Sequence, residues 1–176
     1  QHEEEMDIVV KQPEDEIAAA LYAIGAGFAG ARAMTATSGG GFALMNEALS
    51  LAGMAEVPLV VVESQRPGPA TGLPTWTGQA DLQYAIHAGH DEFPRCVMAP
   101  GDIGEAFELT QEAFNIAERY HMPVILMSDK YLSESLFSIP SFEDRKIPID
   151  RGPLMTAEEG VDRKGRVEDY PRYRFT

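Results

Sequence analysis

The sequence predicts an α/β fold, a doubly wound parallel sheet with helices on both faces. Helical and strand patterns alternate along the chain with short connections, which is typical of parallel sheets. One predicted strand contains Val60, Val61 and Val62 in succession, and such a run is typical of a strand covered on both faces. Helices are predicted at 17–28, 39–52, 79–87 and 103–120, and strands at 31–37, 57–63, 96–99 and 124–128.

Local signals mark the ends of several elements. The acidic residues Glu14, Asp15 and Glu16 precede the first helix, where carboxylates interact favourably with the helix dipole. Segment 25–30 matches G-x-G-x-x-G but follows a helix and precedes a strand, the reverse of the order in a dinucleotide-binding site. It therefore predicts a helix end formed by glycines. Asp129 is expected to cap a short helix after the last strand.

The regular alternation stops near residue 140. Beyond this point charged residues return and prolines recur, a composition that does not predict a second core. We therefore expect an α/β domain at residues 1–139 and an extended linker or arm at residues 140–176. The chain does not begin with Met, which leads us to expect a fragment of a longer protein.

Composition and charge exclude several classes of function. The chain has 176 residues and a formal net charge of −14, so no nucleic-acid partner is expected, because phosphate binding needs a basic surface. It contains no apolar stretch near the ~18 residues of a membrane span and no secretory signal. We therefore expect a cytoplasmic protein with no membrane contact. The single cysteine, Cys96, excludes an internal disulfide and a cysteine-rich cluster site in this chain.

A long segment of the chain is poor in charge. Between residues 17 and 90 the charged residues are Arg32, Glu47, Glu56, Glu63, Arg66 and Asp81. Such a segment has little solvated surface, so we expect it to be buried by its own helices and by a partner chain. The ionisable groups at its borders therefore need an explanation, and Glu16 and Arg66 stand out.

A glycine-rich turn from Ser38 to Gly41 follows a predicted strand and opens a predicted helix. Backbone N–H groups at such a helix start can bind an anion or let a ligand approach closely. The turn lacks the lysine of a nucleotide-binding P-loop. From the residues alone, a ligand contact at Ser38 and Gly39 and a simple tight turn both remain open.

Arg66 stands at the head of a loop rich in proline and glycine that follows a buried strand. Open α/β sheets bind ligands at the carboxyl ends of their strands. The prolines limit the freedom of the loop, which lowers the entropic cost of holding Arg66 on a ligand. A guanidinium group suits a carboxylate because it donates two parallel hydrogen bonds. The alternative is an arginine paired with Glu63 or with a carboxylate of a neighbouring chain.

Two histidines, His87 and His90, lie close together near a predicted helix end. The pair suggests a metal site, but no matching third ligand lies nearby in the sequence. We therefore expect surface or interface histidines and no metal site in this chain.

Four short motifs fall within residues 14–135. They are Glu16-Ile17-Ala18-Ala19, Gly30-Ala31-Arg32-Ala33-Met34-Thr35-Ala36-Thr37-Ser38-Gly39, Leu44-Met45-Asn46-Glu47-Ala48, and Gln65-Arg66 leading to Gly68-Pro69-Ala70-Thr71-Gly72-Leu73-Pro74-Thr75. Each is weak alone. Together they resemble the 2-oxoacid:ferredoxin oxidoreductases, and more narrowly the pyrimidine-binding domain of the alpha subunit of the 2-oxoglutarate type.

The resemblance implies a cofactor and a role for each candidate residue. Thiamine diphosphate would bind between this domain and a pyrophosphate-binding domain on a beta subunit. Glu16 would contact the aminopyrimidine ring, Ser38 and Gly39 would line the cofactor site, and Arg66 would hold the substrate carboxylate. A carboxyl group in an apolar site can hydrogen-bond the ring nitrogen and favour the tautomer that activates the cofactor.

The implied reaction is the oxidative decarboxylation of a 2-oxoacid, 2-oxoglutarate in this subtype. Coenzyme A would take the acyl group, and electrons would pass through iron–sulfur clusters to ferredoxin. The chain has one cysteine, so the clusters, like Mg²⁺, are expected on other subunits.

The chain also departs from the family pattern. The family's Tyr-Pro-x-Thr-Pro segment, which precedes the region of Glu16, is absent, and so is the downstream domain. This polypeptide alone is therefore expected to be inactive. Two rival functions remain open, a non-redox thiamine lyase or transketolase-like domain and a non-enzymatic assembly or binding domain. For Glu16 the rival role is an acid that serves only the helix dipole.

Overall fold

The computed structural model describes residues 8–142 and 145–154 of the chain. Within these residues the centre of the fold is a four-stranded sheet with strand order β1-β2-β4-β3 and every pairing parallel. The predicted fold class is therefore confirmed. The strands are β1 (Met34–Thr37), β2 (Leu59–Gln65), β3 (Cys96–Met98) and β4 (Pro123–Asp129).

Helices cover both faces of this sheet. They are α1 (Glu16–Phe28), α2 (Gly39–Leu44), α3 (Asn46–Met54), α4 (Leu82–His87), α5 (Ile103–Tyr120) and α6 (Lys130–Glu134). The larger core joins α1, α2 and α3 to one face, and the smaller core joins α5 to the other. Central strand β2 contributes Leu59 and Val61 to the larger core and Val60 to the smaller one. A strand buried on both faces explains the uninterrupted valine run.

Several predicted boundaries differ from the observed ones, including the helix predicted at 79–87, which begins at Leu82. The helix predicted at 39–52 is divided at Met45, which ends α2, precedes α3 and is fully buried. Strand β1 starts later than predicted because the N–H of Ala31 still bonds to the carbonyl of Ala26 and closes the end of α1. Strand β2 also starts later, since the N–H of Val57 bonds to Ala52. These hydrogen bonds close the ends of the preceding helices, so residues predicted to be in strands do not join the sheet.

Two predicted helix ends, after α1 and before α6, are found where the sequence placed them. Gly30 adopts a left-handed backbone with φ of +90° and follows the last turn of α1, which is the common role of glycine at a helix end. The carboxylate of Asp129 accepts a hydrogen bond from the N–H of Leu132 at 2.7 Å, as expected for the cap of α6.

Residues 145–154 pack along α5 without forming a strand. The side chain of Asn115 donates to the carbonyl of Pro148 at 3.0 Å and accepts from the N–H of Asp150 at 3.0 Å. Glu118 pairs with both Arg32 and Arg151 at 2.6 Å. This part of the predicted arm therefore contacts the domain, while the boundary at residue 139 remains a prediction.

Several large apolar side chains of the charge-poor segment are exposed in this single chain. None of the helices in the described residues is long and apolar enough to span a membrane. The expected cover by a partner chain remains a prediction. The most exposed of these side chains are Met54 at 82%, Phe28 at 75% and Trp76 at 65%.

Candidate functional site

The candidate residues come together at the carboxyl edge of the sheet. Strands β1 and β2 pair in parallel, with Thr37 opposite Glu63 at their carboxyl ends. The glycine turn, Ser38 to Gly41, continues from β1 at this edge, and Arg66 follows the last residue of β2. Parallel α/β sheets bind ligands at this edge, because the loops that leave neighbouring strands meet there.

Glu16 lies against the glycine turn. It is the first residue of α1, but the helix is capped by its neighbour Asp15, whose carboxylate accepts a hydrogen bond from the N–H of Ala18 at 2.8 Å. A methyl group added to Gly41 would lie 2.7 Å from Oε1 of Glu16 and would overlap the hydroxyl of Thr37. The half-buried carboxyl group of Glu16 therefore faces the turn and has no role as the helix cap.

Ser38 and Gly39 form the start of α2. Ser38 occupies the N-cap position without donating or accepting a side-chain hydrogen bond to the helix. A methyl group on Gly39 would lie 2.9 Å from Oδ2 of Asp81. One on Gly40 would lie 3.7 Å from the carbonyl oxygen of Ala70. Gly39 and Gly41 thus allow close approach of the start of α4 and the start of α1, whereas at Gly40 a methyl group would make only an ordinary contact with the loop after β2.

The loop after β2, residues 66–80, folds back on itself. The N–H of Leu73 donates to the carbonyl of Pro67 at 3.0 Å. Gly72 has φ of +54°, and any side chain there would overlap the same carbonyl. Only glycine suits this position. The loop is therefore a compact structure that keeps Arg66 next to the sheet.

Arg66 carries an unsatisfied donor. Its Nε atom is buried and has no hydrogen-bond partner among the described residues. Both carboxyl oxygens of Glu63 also lack a partner there, so the alternative pairing of Arg66 with Glu63 is not formed. Buried donors are normally satisfied, and an anionic ligand or a carboxylate of a neighbouring chain would supply the missing acceptor.

A buried acid pair, Glu63 and Asp81, also lies at this edge. Glu63 is fully buried at 0% exposure. Burial, followed by the neighbouring charge and hydrogen bond of Asp81, raises the pKa of Glu63 from 4.5 to about 8. A raised pKa favours the protonated form of Glu63 near neutral pH.

The sequence patterns do not predict this pair at the site. They suggest Glu63 only as an alternative partner of Arg66 and mark Asp81 only as one of the few charged residues between residues 17 and 90. Two signals could have found them. Glu63 falls on the same side of β2 as Leu59 and Val61, which places an acid in the larger core. Asp81 is the one charged residue between Arg66 and Asp91.

The two histidines lie away from the glycine turn. His87 and His90 are exposed, and the Nδ1 of His87 makes a 2.8 Å hydrogen bond with the carbonyl of Gln83. No cluster of three or more potential metal-binding side chains occurs in ranges 8–142 and 145–154.

Comparison with known protein families identifies the family of this chain. Residues 1–162 match the model of the family described as pyruvate flavodoxin/ferredoxin oxidoreductase, thiamine diphosphate-binding. The chain belongs to this family. The resemblance seen in the four motifs is thereby confirmed.

Curated relatives carry related names. The chain is 52% identical over 148 residues to 2-oxoacid:ferredoxin oxidoreductase 1, subunit alpha, of Aeropyrum pernix, a match covering 84% of this chain and 23% of the relative. It is 42% identical over 151 residues to 2-oxoglutarate synthase subunit KorA of Methanothermobacter thermautotrophicus, covering 86% of this chain and 40% of the relative. The chain thus spans less than half the length of either relative.

A solved structure has the same fold. The 2-oxoglutarate:ferredoxin oxidoreductase from Magnetococcus marinus, with 2-oxoglutarate, coenzyme A and succinyl-CoA bound, superposes with a TM-score of 0.83 at 41% sequence identity. The match covers 91% of this chain and 28% of that chain.

Proposed function

We propose that this chain is the pyrimidine-side half of the thiamine diphosphate site in a 2-oxoacid:ferredoxin oxidoreductase. The assembled enzyme oxidatively decarboxylates a 2-oxoacid to acyl-CoA and passes the electrons to ferredoxin. The names of the relatives and of the solved structure favour 2-oxoglutarate as the substrate. Family membership supports the cofactor.

The observation that carries the proposal is the position of Glu16. Asp15 caps α1, which leaves the Glu16 carboxyl group facing the glycine turn at the carboxyl edge. The residues present fit an aminopyrimidine, because a half-buried acid lies beside three residues without side chains. A flat heterocycle can approach the backbone of Gly39 to Gly41 closely, while Ser38 offers a hydroxyl group.

Each side chain then has a defined task. Glu16 holds a hydrogen bond to a ring nitrogen of the aminopyrimidine and keeps the ring in one orientation. Arg66 binds the carboxylate of the 2-oxoacid through its guanidinium group, whose buried Nε has no acceptor in the described residues. Thiamine diphosphate supplies the carbon nucleophile for the 2-oxo carbon and accepts the electron pair left by CO₂.

The proposal requires components that this chain does not carry. A beta subunit with the pyrophosphate-binding domain would complete the cofactor site and hold Mg²⁺. An iron–sulfur cluster typically needs four cysteine thiolates, and this chain has one cysteine, so we place the clusters on other subunits. Coenzyme A and ferredoxin are the remaining reactants. The cytoplasmic location predicted from the sequence remains a prediction.

The test is an assay of the purified native complex. Reduction of ferredoxin or a viologen is measured with several 2-oxoacids, with and without coenzyme A. We expect reduction that depends on 2-oxoglutarate and coenzyme A. Thiamine-dependent decarboxylation without electron transfer would favour the lyase rival, and a complex that binds no thiamine diphosphate would favour the assembly rival.

Variants connect the activity to the site. In the same complex, Glu16→Gln is expected to lower kcat by about 100-fold or more, the usual scale for loss of acid–base assistance. Glu14→Gln is the matched control, because it makes the same change on an exposed acid of the same turn. Equal turnover in the two variants would remove Glu16 from the mechanism.

A further inference from the structure

Asp129 is a buried acid at the carboxyl edge that the chemistry proposed above does not use. It is the last residue of β4 and is 8% exposed. Its two carboxylate oxygens accept hydrogen bonds from two different parts of the chain. Oδ1 accepts from the N–H of Leu132 at 2.7 Å, and Oδ2 accepts from Nε2 of Gln79 at 2.6 Å. The first bond caps α6, whereas the second reaches the far end of the loop that begins with Arg66.

The two ends of the Arg66 loop, residues 66–80, touch each other. A methyl group built on Gly78 would lie 2.9 Å from the backbone nitrogen of Pro67 and 3.1 Å from two carbons of its ring. That nitrogen forms the peptide bond with Arg66, so the end of the loop packs against the peptide bond that follows Arg66. Gln79 is the next residue after Gly78. The segment that Asp129 holds is therefore in contact with the start of the loop.

The start of the loop is also held at the end of β4. Gln65, the last residue of β2, is 6% exposed. Its Nε2 donates to the carbonyl of Ser128 at 3.3 Å, and its Oε1 accepts from the N–H of Asp81 at 3.2 Å. In the sheet, Gln65 lies opposite Asp129. Both ends of the loop are thus fastened to the last two residues of β4, one end by Gln65 and the other by Gln79.

We propose that Asp129 and Gln79 are positioning residues that hold Arg66 where it binds the substrate carboxylate. Asp129 acts through Gln79, and Gln79 acts through the contact of Gly78 with Pro67. The part that concerns substrate binding rests on the proposed function. The closure of the loop rests only on hydrogen bonds and contacts among the described residues.

The structure of the loop explains why one fastening point can place Arg66. The prolines and the hydrogen bond from Leu73 to the carbonyl of Pro67 make the loop stiff, so its two ends move together. The Nε of Arg66 has no acceptor among the described residues, so that atom does not hold the side chain in place. A hydrogen bond to a carboxylate is stronger than one between neutral groups. The bond of Gln79 to Asp129 therefore suits the task of keeping the loop closed before substrate binds.

The experiment uses the assembled complex and two reciprocal substitutions. Gln79→Glu replaces the donor with a second carboxylate that faces Asp129, so the two side chains should repel each other. Adding Asp129→Asn restores one donor and one acceptor in the opposite direction, and asparagine still caps α6. Gln83→Glu makes the same change on an exposed glutamine of α4 and is the matched control.

Substrate affinity and loop exchange are measured in parallel. In Gln79→Glu, the KM for 2-oxoglutarate should rise about tenfold, the scale of a lost hydrogen bond to a charged group. The kcat and the KM for coenzyme A should stay within about twofold, because Arg66 binds the carboxylate in the ground state and the transition state alike. Hydrogen–deuterium exchange of residues 66–80 should become faster. The double variant should recover both the KM and the protection of the loop, and Gln83→Glu should match the wild type.

A double-mutant cycle tests whether the effect passes through Arg66. If Gln79 acts by placing Arg66, then adding Gln79→Glu to Arg66→Ala should raise the KM no further. A full additional tenfold rise would show that Gln79 influences the substrate by another route and would overturn the proposal. Gln79→Leu covers the case in which the new carboxylate prevents assembly, since it removes the donor without adding a charge and should change the KM and the exchange in the same direction.

The remaining outcomes also decide the question. Wild-type exchange of the loop in both Gln79→Glu and Gln79→Leu would show that the hydrogen bond does not keep the loop closed. Faster exchange with an unchanged KM would show that closure of the loop does not place Arg66, and would equally overturn the proposal. A complex without 2-oxoacid activity would contradict the proposed function alone, because the exchange measurement still tests the closure of the loop.

Discussion

Two glutamates are buried at opposite ends of the sheet, and their surroundings differ. Glu118, near the amino edge, is 6% exposed and pairs with Arg32 and Arg151 at 2.6 Å. Glu63, at the carboxyl edge, is 0% exposed, and the charged group that raises its pKa is another acid, Asp81. A buried charge with cationic partners is compensated, whereas a buried acid without them stays protonated or is destabilising.

This difference indicates that the amino edge of the sheet has a structural role and the carboxyl edge a functional one. At the amino edge, the charges are used to fasten residues 145–154 to α5. At the carboxyl edge, donors and acceptors remain unsatisfied in the isolated chain, including Nε of Arg66. Unsatisfied buried groups are costly and rare. Among the described residues, three of the four such atoms, both oxygens of Glu63 and Nε of Arg66, lie at the carboxyl edge, and the fourth is Nε of Arg95 just before β3. This cluster at the carboxyl edge indicates where a ligand is expected.

The largest effect is expected from replacing Arg66 at the carboxyl edge, with Arg151 at the amino edge as the comparison. Arg66→Ala should raise the KM for the 2-oxoacid by about 10- to 100-fold, the scale of a lost charge-assisted hydrogen bond. Arg151→Ala removes the same functional group at the amino edge and should leave KM unchanged. Steady-state kinetics of the complex checks both. An equal KM in the two variants would show that the edges do not differ in this way.

The next effect is expected on the free energy of unfolding. Glu118→Gln leaves Arg32 and Arg151 without their carboxylate and should lower the free energy of unfolding by about 2 kcal/mol, since both arginines are partly exposed. Urea unfolding measures this loss. Turnover per folded complex should not change, and a large fall in kcat would assign Glu118 a role that the structure does not suggest.

A smaller effect is expected within the glycine turn. Gly41→Ala places a methyl group against the hydroxyl of Thr37 and 2.7 Å from Oε1 of Glu16. It should displace both side chains and weaken thiamine diphosphate binding about tenfold, or ~1.4 kcal/mol. Gly40→Ala makes only an ordinary contact of 3.7 Å and should stay within about twofold of the wild type. Calorimetric titration of the cofactor distinguishes them, and similar affinities would contradict the proposed contact.

Stability is also expected to depend on pH. The pKa of Glu63 is raised from 4.5 to about 8 in the folded chain, so the folded state holds a proton that the unfolded state releases between these values. Stability should therefore decrease as the pH rises through this range and level off above pH 8. In Glu63→Gln this contribution disappears.

Melting curves at pH 5, 6.5 and 8 provide the check. Each kcal/mol corresponds to about 2–4 °C for a chain of this size. The difference in melting temperature between wild type and Glu63→Gln should change steadily with pH. A constant difference would mean that Glu63 does not titrate in this range.

The sequence predicted the fold and part of the site because both depend on local patterns. Alternating periodicities determined the order of elements, and Arg66 follows a buried strand, which places it at the carboxyl edge. The predicted helix α5 agrees with the observed Ile103–Tyr120 because Asp102 caps it, accepting from the N–H of Glu105 at 2.8 Å.

The rest depends on contacts between distant parts of the chain. Glu63 and Asp81 meet because the loop between them returns to the sheet, and Arg32 and Arg151 meet Glu118 from segments far apart in sequence. The division of the predicted helix at Met45 likewise reflects burial in the core. Periodicity describes a single segment, so it does not predict such pairs.

The most direct test of the account measures thiamine diphosphate binding by the complex. Calorimetry compares wild type, Glu16→Gln and Glu14→Gln. If Glu16 holds the aminopyrimidine, the Glu16 variant should bind at least about tenfold more weakly, or ~1.4 kcal/mol, while the Glu14 variant matches the wild type. Equal affinity in all three proteins would contradict the assignment of this edge as the cofactor site.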